Sequence, residues 1–89
     1  MKSILAEKST ELALHIIKYY RWLSEEKHEH VLSKQVLRSG TSIGANIREA
    51  NYAASSADFI NKLQIAVKEA AETEYWFYLL NKSGYYDPQ

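Results

Sequence analysis

The feature that most constrains this chain is a run of small residues between positions 37 and 50, with the sequence LRSGTSIGANIREA. It contains Gly40 and Gly44, two of the three glycines in the chain. A helical glycine costs about 1 kcal/mol relative to alanine, so two of them within one helix require a structural reason. Even so, a 3.6-residue apolar period passes through both glycines without changing phase and predicts a continuous helix. The apolar positions are Leu32, Val36, Ile43, Ile47, Ala50 and Ala54.

The two glycines lie one helical turn apart and have small neighbours. Ser39, Gly40, Gly44 and Ala45 would give the helix a face that carries almost no side chains, and such a face lets a second helix approach closely. We therefore predict a helix-contact face at these four residues. A break near Ser39–Gly44, giving two short helices, is the alternative. A phosphate-binding loop is disfavoured, because the lysine and the spacing of that motif are missing.

Length, charge and residue usage narrow the class of protein. Eighty-nine residues suffice for one small domain over residues 1–89, and a domain of this size often gains stability from self-association. The absence of cysteine suits a reducing cytoplasm. No signal peptide or membrane-spanning apolar run is evident. Eleven basic and eleven acidic residues argue against tight non-specific binding of nucleic acid, although Lys34, Arg38 and Arg48 could form a modest basic patch.

The apolar pattern predicts three helices and no strand. The first runs from an N-cap at Ser3 to about Leu23, and its buried stripe comprises Leu5, Leu12, Ile16, Tyr19 and Leu23. The second runs from about Glu25, after a cap at Ser24, to Ala54. The third follows an N-cap at Ser55, has Asp58 at its third position and ends at Gly84, a favourable left-handed cap.

The last residues carry a start signal for a fourth helix. Asp87 followed by Pro88 is typical of a capping acid and a proline at the first helical position. The expected fold class is therefore all-α, an antiparallel up-and-down helical bundle with three helices present and a fourth apparently missing after Pro88. An uncovered groove in such a bundle predicts that the chain is not a monomer.

Two segments together resemble a known family. Residues 31–50, VLSKQVLRSGTSIGANIREA, and residues 58–76, DFINKLQIAVKEAAETEYW, are similar to the bacterial four-helix-bundle proteins of the 23S rRNA intervening-sequence type. The resemblance implies an up-and-down four-helix bundle, a homopentameric ring and no established enzymatic activity. A similar fold occurs in accessory proteins of diversity-generating retroelements, where a basic pentamer engages reverse transcriptase and nucleic acid.

A polar stripe follows the second helix beside the glycines. It consists of Arg38, Ser42, Asn46 and Glu49, spaced four, four and three residues apart. In an antiparallel hairpin turning near Ser55, positions summing to about 111 lie opposite one another. Arg38 then faces Glu72 to Glu74, and Glu49 faces Lys62. One interpretation is a partly buried polar seam that determines the helix register or the subunit contact. The other is a solvated face with weak ion pairs. The seven residues concerned are Arg38, Ser42, Asn46, Glu49, Lys62, Glu72 and Glu74.

No arrangement of residues indicates catalysis or a metal site. His28 and His30 would point about 200° apart on a helix, and His15 belongs to another helix. The aromatic run 75–78 fits a core or an interface better than base stacking. We expect no enzymatic activity, cofactor, metal or small-molecule substrate. The favoured function is a self-assembling interaction or scaffold protein. The family resemblance implies that the oligomer is a pentamer. The alternative is a nucleic-acid- or ribosome-associated protein that binds RNA or DNA through a basic rim of the oligomer.

Overall fold

A computed structural model describes residues 3–85, and within this range the chain is all-helical, as predicted. Helix α1 spans Ile4–Arg21 and continues into a short π-helical turn, Trp22–Glu26. Helix α2 spans Leu32–Ala50, and helix α3 spans Ser56–Lys82. The predicted start signal of a fourth helix, Asp87-Pro88, lies outside the described residues.

The N-terminal caps of α1 and α3 are those the sequence predicts. Ser3 Oγ accepts a hydrogen bond from the Ala6 amide at 3.0 Å, and Ser55 Oγ accepts one from the Asp58 amide at 3.1 Å. The Asp58 carboxylate accepts in turn from the Ala54 amide at 3.2 Å. Each side-chain oxygen satisfies a backbone donor that has no partner within its helix.

The predicted start of the second helix is wrong by about seven residues. Ser24, Glu25 and Glu26 belong to the π-helical turn, and α2 begins only at Leu32. The cap is Glu29, whose carboxylate accepts from the amides of Leu32 at 3.1 Å and Ser33 at 2.7 Å. The connection passes through His28 at φ 56°, a left-handed conformation that interrupts the helix.

Helix α2 passes through both glycines without a break, which confirms the continuous helix and excludes the two-helix alternative. It ends at Ala50 rather than at Ala54, because the chain turns at residues 51–55 before the α3 cap. Helix α3 ends near the predicted residue, and Gly84 adopts φ 93° two residues after Lys82. A left-handed residue at this point is a common way to terminate a helix.

Helix α2 lies between the other two helices, and both pack on it. One apolar cluster contains Ile16, Leu23, Val36 and Leu80, and a second contains Ile43, Ile47 and Ala66. In both helix pairs, a higher residue number on one helix meets a lower residue number on the next. Ile16 and Ser9 of α1 approach Gly40 and Gly44, whereas residues 39 and 49 of α2 contact residues 73 and 62 of α3.

Direct contact between α1 and α3 is sparse among residues 3–85. One such contact joins the rings of Tyr19 and Phe77, whose centroids are 5.4 Å apart. The predicted buried stripe of α1 is therefore only partly correct. Ile16 and Leu23 are buried and Tyr19 is half-buried. Leu5 and Leu12 are exposed, because no helix of the described range covers them.

Candidate interaction site

The two helical glycines of α2 lie against α1. A Cβ atom built on Gly40 would be 2.8–2.9 Å from three side-chain carbons of Ile16, closer than carbon atoms can approach. At Gly44 the nearest atoms belong to Ser9, at 3.4–3.5 Å, which is ordinary contact. Ser9 is buried, and its hydroxyl donates to the Ala6 carbonyl at 3.0 Å. Gly40 is thus the position where the close approach of α1 requires glycine.

Ser39 contacts α3 rather than α1. Its hydroxyl is fully buried and lies 2.8 Å from the hydroxyl of Thr73, which is also buried. Each hydroxyl also reaches a carbonyl of its own helix, Gln35 O at 2.9 Å and Glu69 O at 2.7 Å. The small residues of α2 therefore serve two neighbouring helices, and this polar contact sits inside an otherwise apolar interface.

Ala45 does not belong to the predicted helix-contact face. It is exposed, because it lies 100° around α2 from Gly44 and points away from α1. The close-packed face therefore consists of Gly40 and Gly44 toward α1 and of Ser39 toward α3.

The predicted polar seam divides into two groups of contacts. At one end, the Arg38 guanidinium forms an ion pair with Glu72 and lies 3.4 Å from a carboxylate oxygen of Glu69. Gln35 Oε1 accepts from Arg38 at 3.2 Å, and the Trp76 indole donates to Glu72 at 3.0 Å. Sequence reasoning did not identify Glu69, although it lies one turn before Glu72 on the same face of α3.

At the other end of the seam, Lys62 Nζ donates to a Glu49 carboxylate oxygen at 3.0 Å. This hydrogen bond, together with the charge of Glu49, raises the pKa of Lys62 above its usual value of 10.5. Asn46 donates to the carbonyl of Ser42 at 2.9 Å, within α2. Glu74 is exposed, and no ion pair among residues 3–85 includes it.

The three residues of the possible basic patch have different surroundings. Lys34 is exposed, while Arg38 is held by two carboxylates. Arg48 lines a shallow groove between the start of α1 and the end of α2 that also contains Glu7 and Glu11. The surface around these cations is consequently mixed in charge.

Two of the three histidines lie at the end of the molecule where α2 begins, and the third, His15, lies within α1. His28 and His30 are in the connection before α2, not on a helix, and their ring centroids are 6.4 Å apart. The Ser24 hydroxyl lies 3.3 Å from His30 Nδ1. Residues 3–85 contain no group of three side chains that could hold a metal ion.

The aromatic run on α3 surrounds the helix. Trp76 and Phe77 are half-buried and pack against the first apolar cluster, whereas Tyr75 and Tyr78 are exposed. Tyr19 stacks on Trp22 with ring centroids 5.7 Å apart, and its hydroxyl donates to the Tyr85 carbonyl at 2.8 Å. The inward rings thus consolidate the end of the molecule where α1 and α3 meet.

Apolar side chains of α1 and α3 are exposed, and these two helices contact each other only sparsely. Leu5 and Leu12 of α1 and Phe59 of α3 have exposed fractions of 54%, 38% and 42%, and we call the surface that carries them the α1–α3 groove. Leu63, one turn after Phe59 on α3, packs against Ile43 and Ile47. In the part of the chain described, no helix could cross a membrane.

These features define a small helical protein in which α2 packs closely against α1 and α3. Across residues 1–89 the chain matches the family model described as 23S rRNA-intervening sequence protein, and it belongs to this family. It is 58% identical to a protein of unknown function from the S23 ribosomal protein family of Bacteroides thetaiotaomicron VPI-5482, with a TM-score of 0.93. The match covers 96% of this chain and 76% of that chain. No curated protein matches the sequence.

Proposed function

We propose that this chain is a non-enzymatic interaction protein that acts as a self-assembled helical bundle. The observation that supports this proposal best is the α1–α3 groove, since monomeric proteins rarely leave a contiguous apolar surface of more than a few hundred Å² in water. Leu5, Leu12 and Phe59 are all more than one-third exposed within it.

The proposed protomer is an antiparallel up-and-down four-helix bundle. In such bundles each helix packs on two neighbours, and among the helices of residues 3–85 only α2 does so. A fourth helix in the α1–α3 groove would complete the arrangement. The similar protein of the S23 ribosomal protein family supports this architecture, because the match leaves about a quarter of that chain uncovered.

We propose that five protomers assemble into a closed ring, as the family resemblance implies. A head-to-tail interface that closes satisfies every copy and leaves no free end. No catalytic role is assigned to any residue, and several polar side chains of α2 and α3 contact the neighbouring helix. Arg38, Glu49 and Thr73 illustrate this engagement.

Binding of RNA or DNA is less well supported than self-assembly. Phosphate recognition requires cations whose charge is available, and Arg38 is already held by Glu69 and Glu72. Arg48 shares its groove with Glu7 and Glu11, which would repel a phosphate. Lys34 is exposed, and none of the ion pairs found among residues 3–85 includes it.

Sedimentation velocity at low micromolar concentration, paired with RNA and DNA titrations at several salt concentrations, tests the proposal. We expect a folded species of about five times the chain mass of 10.3 kDa and no saturable binding at physiological ionic strength. A folded species of about 10 kDa would overturn self-assembly. Salt-dependent binding that Lys34→Glu and Arg48→Glu abolish would favour the nucleic-acid function instead.

A further inference from the structure

An apolar stripe runs along α3 outside the α1–α3 groove. We call it the α3 stripe; it comprises Ile60, Val67 and Tyr78, whose exposed fractions are 54%, 69% and 58%. Their spacings of seven and eleven residues place them on one face of the helix. Three residues of α3 that lie on the α2 side are each two positions from a residue of the α3 stripe. They are Lys62, Glu69 and the half-buried Trp76. A two-residue step is 200° on a helix, so the α3 stripe faces away from α2.

A second exposed apolar patch lies on α1. We call it the α1 patch; it comprises Leu14 and Ile17, which are 59% and 38% exposed. Leu14 is two residues from Leu12 of the α1–α3 groove, and Ile17 is two residues from Tyr19, which contacts Phe77. The α1 patch therefore faces away from the groove. The two surfaces lie on opposite sides of a molecule about 20 Å wide.

The charges beside these surfaces are complementary at matching heights. Tyr19 and Phe77 touch, so a residue of α1 lies level with the residue of α3 found 58 positions later. Glu11 is thus level with residue 69, next to Lys68, and Lys18 is level with residue 76, close to Glu74. In a ring whose axis runs along the helices, neighbouring copies stand at the same height. Each of these exposed charges on α3 then finds an opposite charge on α1 of the next copy.

From these observations we infer that the part of the α3 stripe from Val67 to Tyr78 binds the α1 patch of a second copy of this chain, with the two helices parallel and level. Leu14 and Ile17 are level with residues 72 and 75, which lie between Val67 and Tyr78. The inference rests on the proposed self-assembly and specifies its contact. Two different surfaces on opposite sides produce a head-to-tail interface, which is the type that closes into rings. A two-fold dimer would instead pair the α3 stripe with itself.

The chain has no cysteine, so single cysteines can map the contact without background. Val67→Cys and Leu14→Cys are co-expressed as differently tagged chains and treated with a short bis-maleimide. We expect a covalent dimer containing one copy of each variant, and no dimer from either variant alone. Ala70→Cys with Leu14→Cys is the control, because Ala70 is exposed at a similar height but lies on the Phe77 side of α3, seven residues before Phe77.

The outcomes separate this contact from self-assembly itself. A Val67–Val67 cross-link would show a two-fold interface and overturn the inference. So would an oligomeric parent in which the Val67–Leu14 pair reacts no better than the Ala70–Leu14 control. If the parent sediments as a monomer, self-assembly fails and the inference fails with it. As a second measurement, Lys68→Glu should weaken the oligomer and Glu11→Lys in the same chain should restore it.

Discussion

At the scale of single residues, the space available for a side chain differs between neighbouring positions of α2. Gly40 has no room for a methyl group beside Ile16, while Gly44, one turn later, has ordinary contact distance to Ser9. Ser39 and Thr73 place two hydroxyls in the α2–α3 interface without leaving either unpaired. A buried hydroxyl without a partner would cost about 1–3 kcal/mol, and here each hydroxyl is also within hydrogen-bond distance of a carbonyl of its own helix.

The two glycines should respond differently to alanine. Gly40→Ala should destabilise the fold, because overpacking typically costs about 1–3 kcal/mol and here outweighs the helix propensity that alanine gains. Gly44→Ala should be neutral or stabilising by up to about 1 kcal/mol. Urea unfolding of both variants checks this difference. Equal stability of the two variants would contradict the close approach of Ile16 to Gly40, whereas rescue of Gly40→Ala by Ile16→Val would support it.

The Glu49–Lys62 pair should be visible in the titration of Lys62. Its pKa is raised above 10.5 mainly by the hydrogen bond that Lys62 donates to Glu49, so the pair stabilises the fold below that pH. This contribution is lost as the pH rises through the folded-state pKa. Glu49→Gln should lower the pKa of Lys62, as measured by NMR of the lysine side chain.

Asp58→Asn is the control for this titration, because the charge of Asp58 is a smaller cause of the shift. It should lower the pKa of Lys62 less than Glu49→Gln does. An unchanged Lys62 pKa in Glu49→Gln would show that the pair does not form in solution.

At the scale of helices, the sequence predicted what depends on periodicity and capping. The apolar period through Gly40 and Gly44 gave a continuous α2, and Ser3 and Ser55 gave two correct caps. The start of α2 could not be predicted this way. The π-helical turn retains a helical pattern, and the Glu29 cap depends on a left-handed residue, His28, that no propensity favours strongly.

Hairpin geometry placed Arg38 opposite residues 72 to 74, and the structure brings Arg38 to Glu72. It could not choose among the neighbouring acids, because their side chains project at different angles around α3. Glu69 joins the contact and Glu74 does not, in keeping with a helical face that advances three to four residues at a time. The apolar stripe alone also could not predict that Leu5 and Leu12 are exposed, because such a stripe does not reveal whether a helix covers it.

Reversal of charge tests the register of α2 against α3. Arg38→Glu should destabilise the protein by placing three carboxylates together, and Glu72→Lys in the same chain should restore part of the loss. Coupling between contacting residues is commonly about 0.5–3 kcal/mol, and partial exposure favours the lower end here. Urea unfolding followed by Trp fluorescence measures it.

Glu74→Lys is the matched control for the charge reversal, being an equal change in charge two residues away on the same helix. It should not rescue Arg38→Glu. Rescue by Glu74→Lys as large as that by Glu72→Lys would show that net charge, rather than a specific contact, governs the stability of the variant.

At the scale of the whole molecule, α2 holds the other helices while exposed apolar surface faces outward on several sides. The α1–α3 groove suits another helix, and the α3 stripe and α1 patch suit further copies of the chain. A formal net charge of zero allows like chains to approach one another without strong repulsion. These properties agree with a protein whose working form is an assembly.

The central position of α2 also bears on how the chain acquires its structure. Each helix packs on its neighbour in sequence, so short loops close both contacts and little chain entropy is lost before packing begins. Chains dominated by such local contacts fold quickly. Because α1 and α3 contact each other only sparsely, both contacts depend on α2. Rapid formation of these contacts limits the time during which their apolar surfaces are available to the wrong partner.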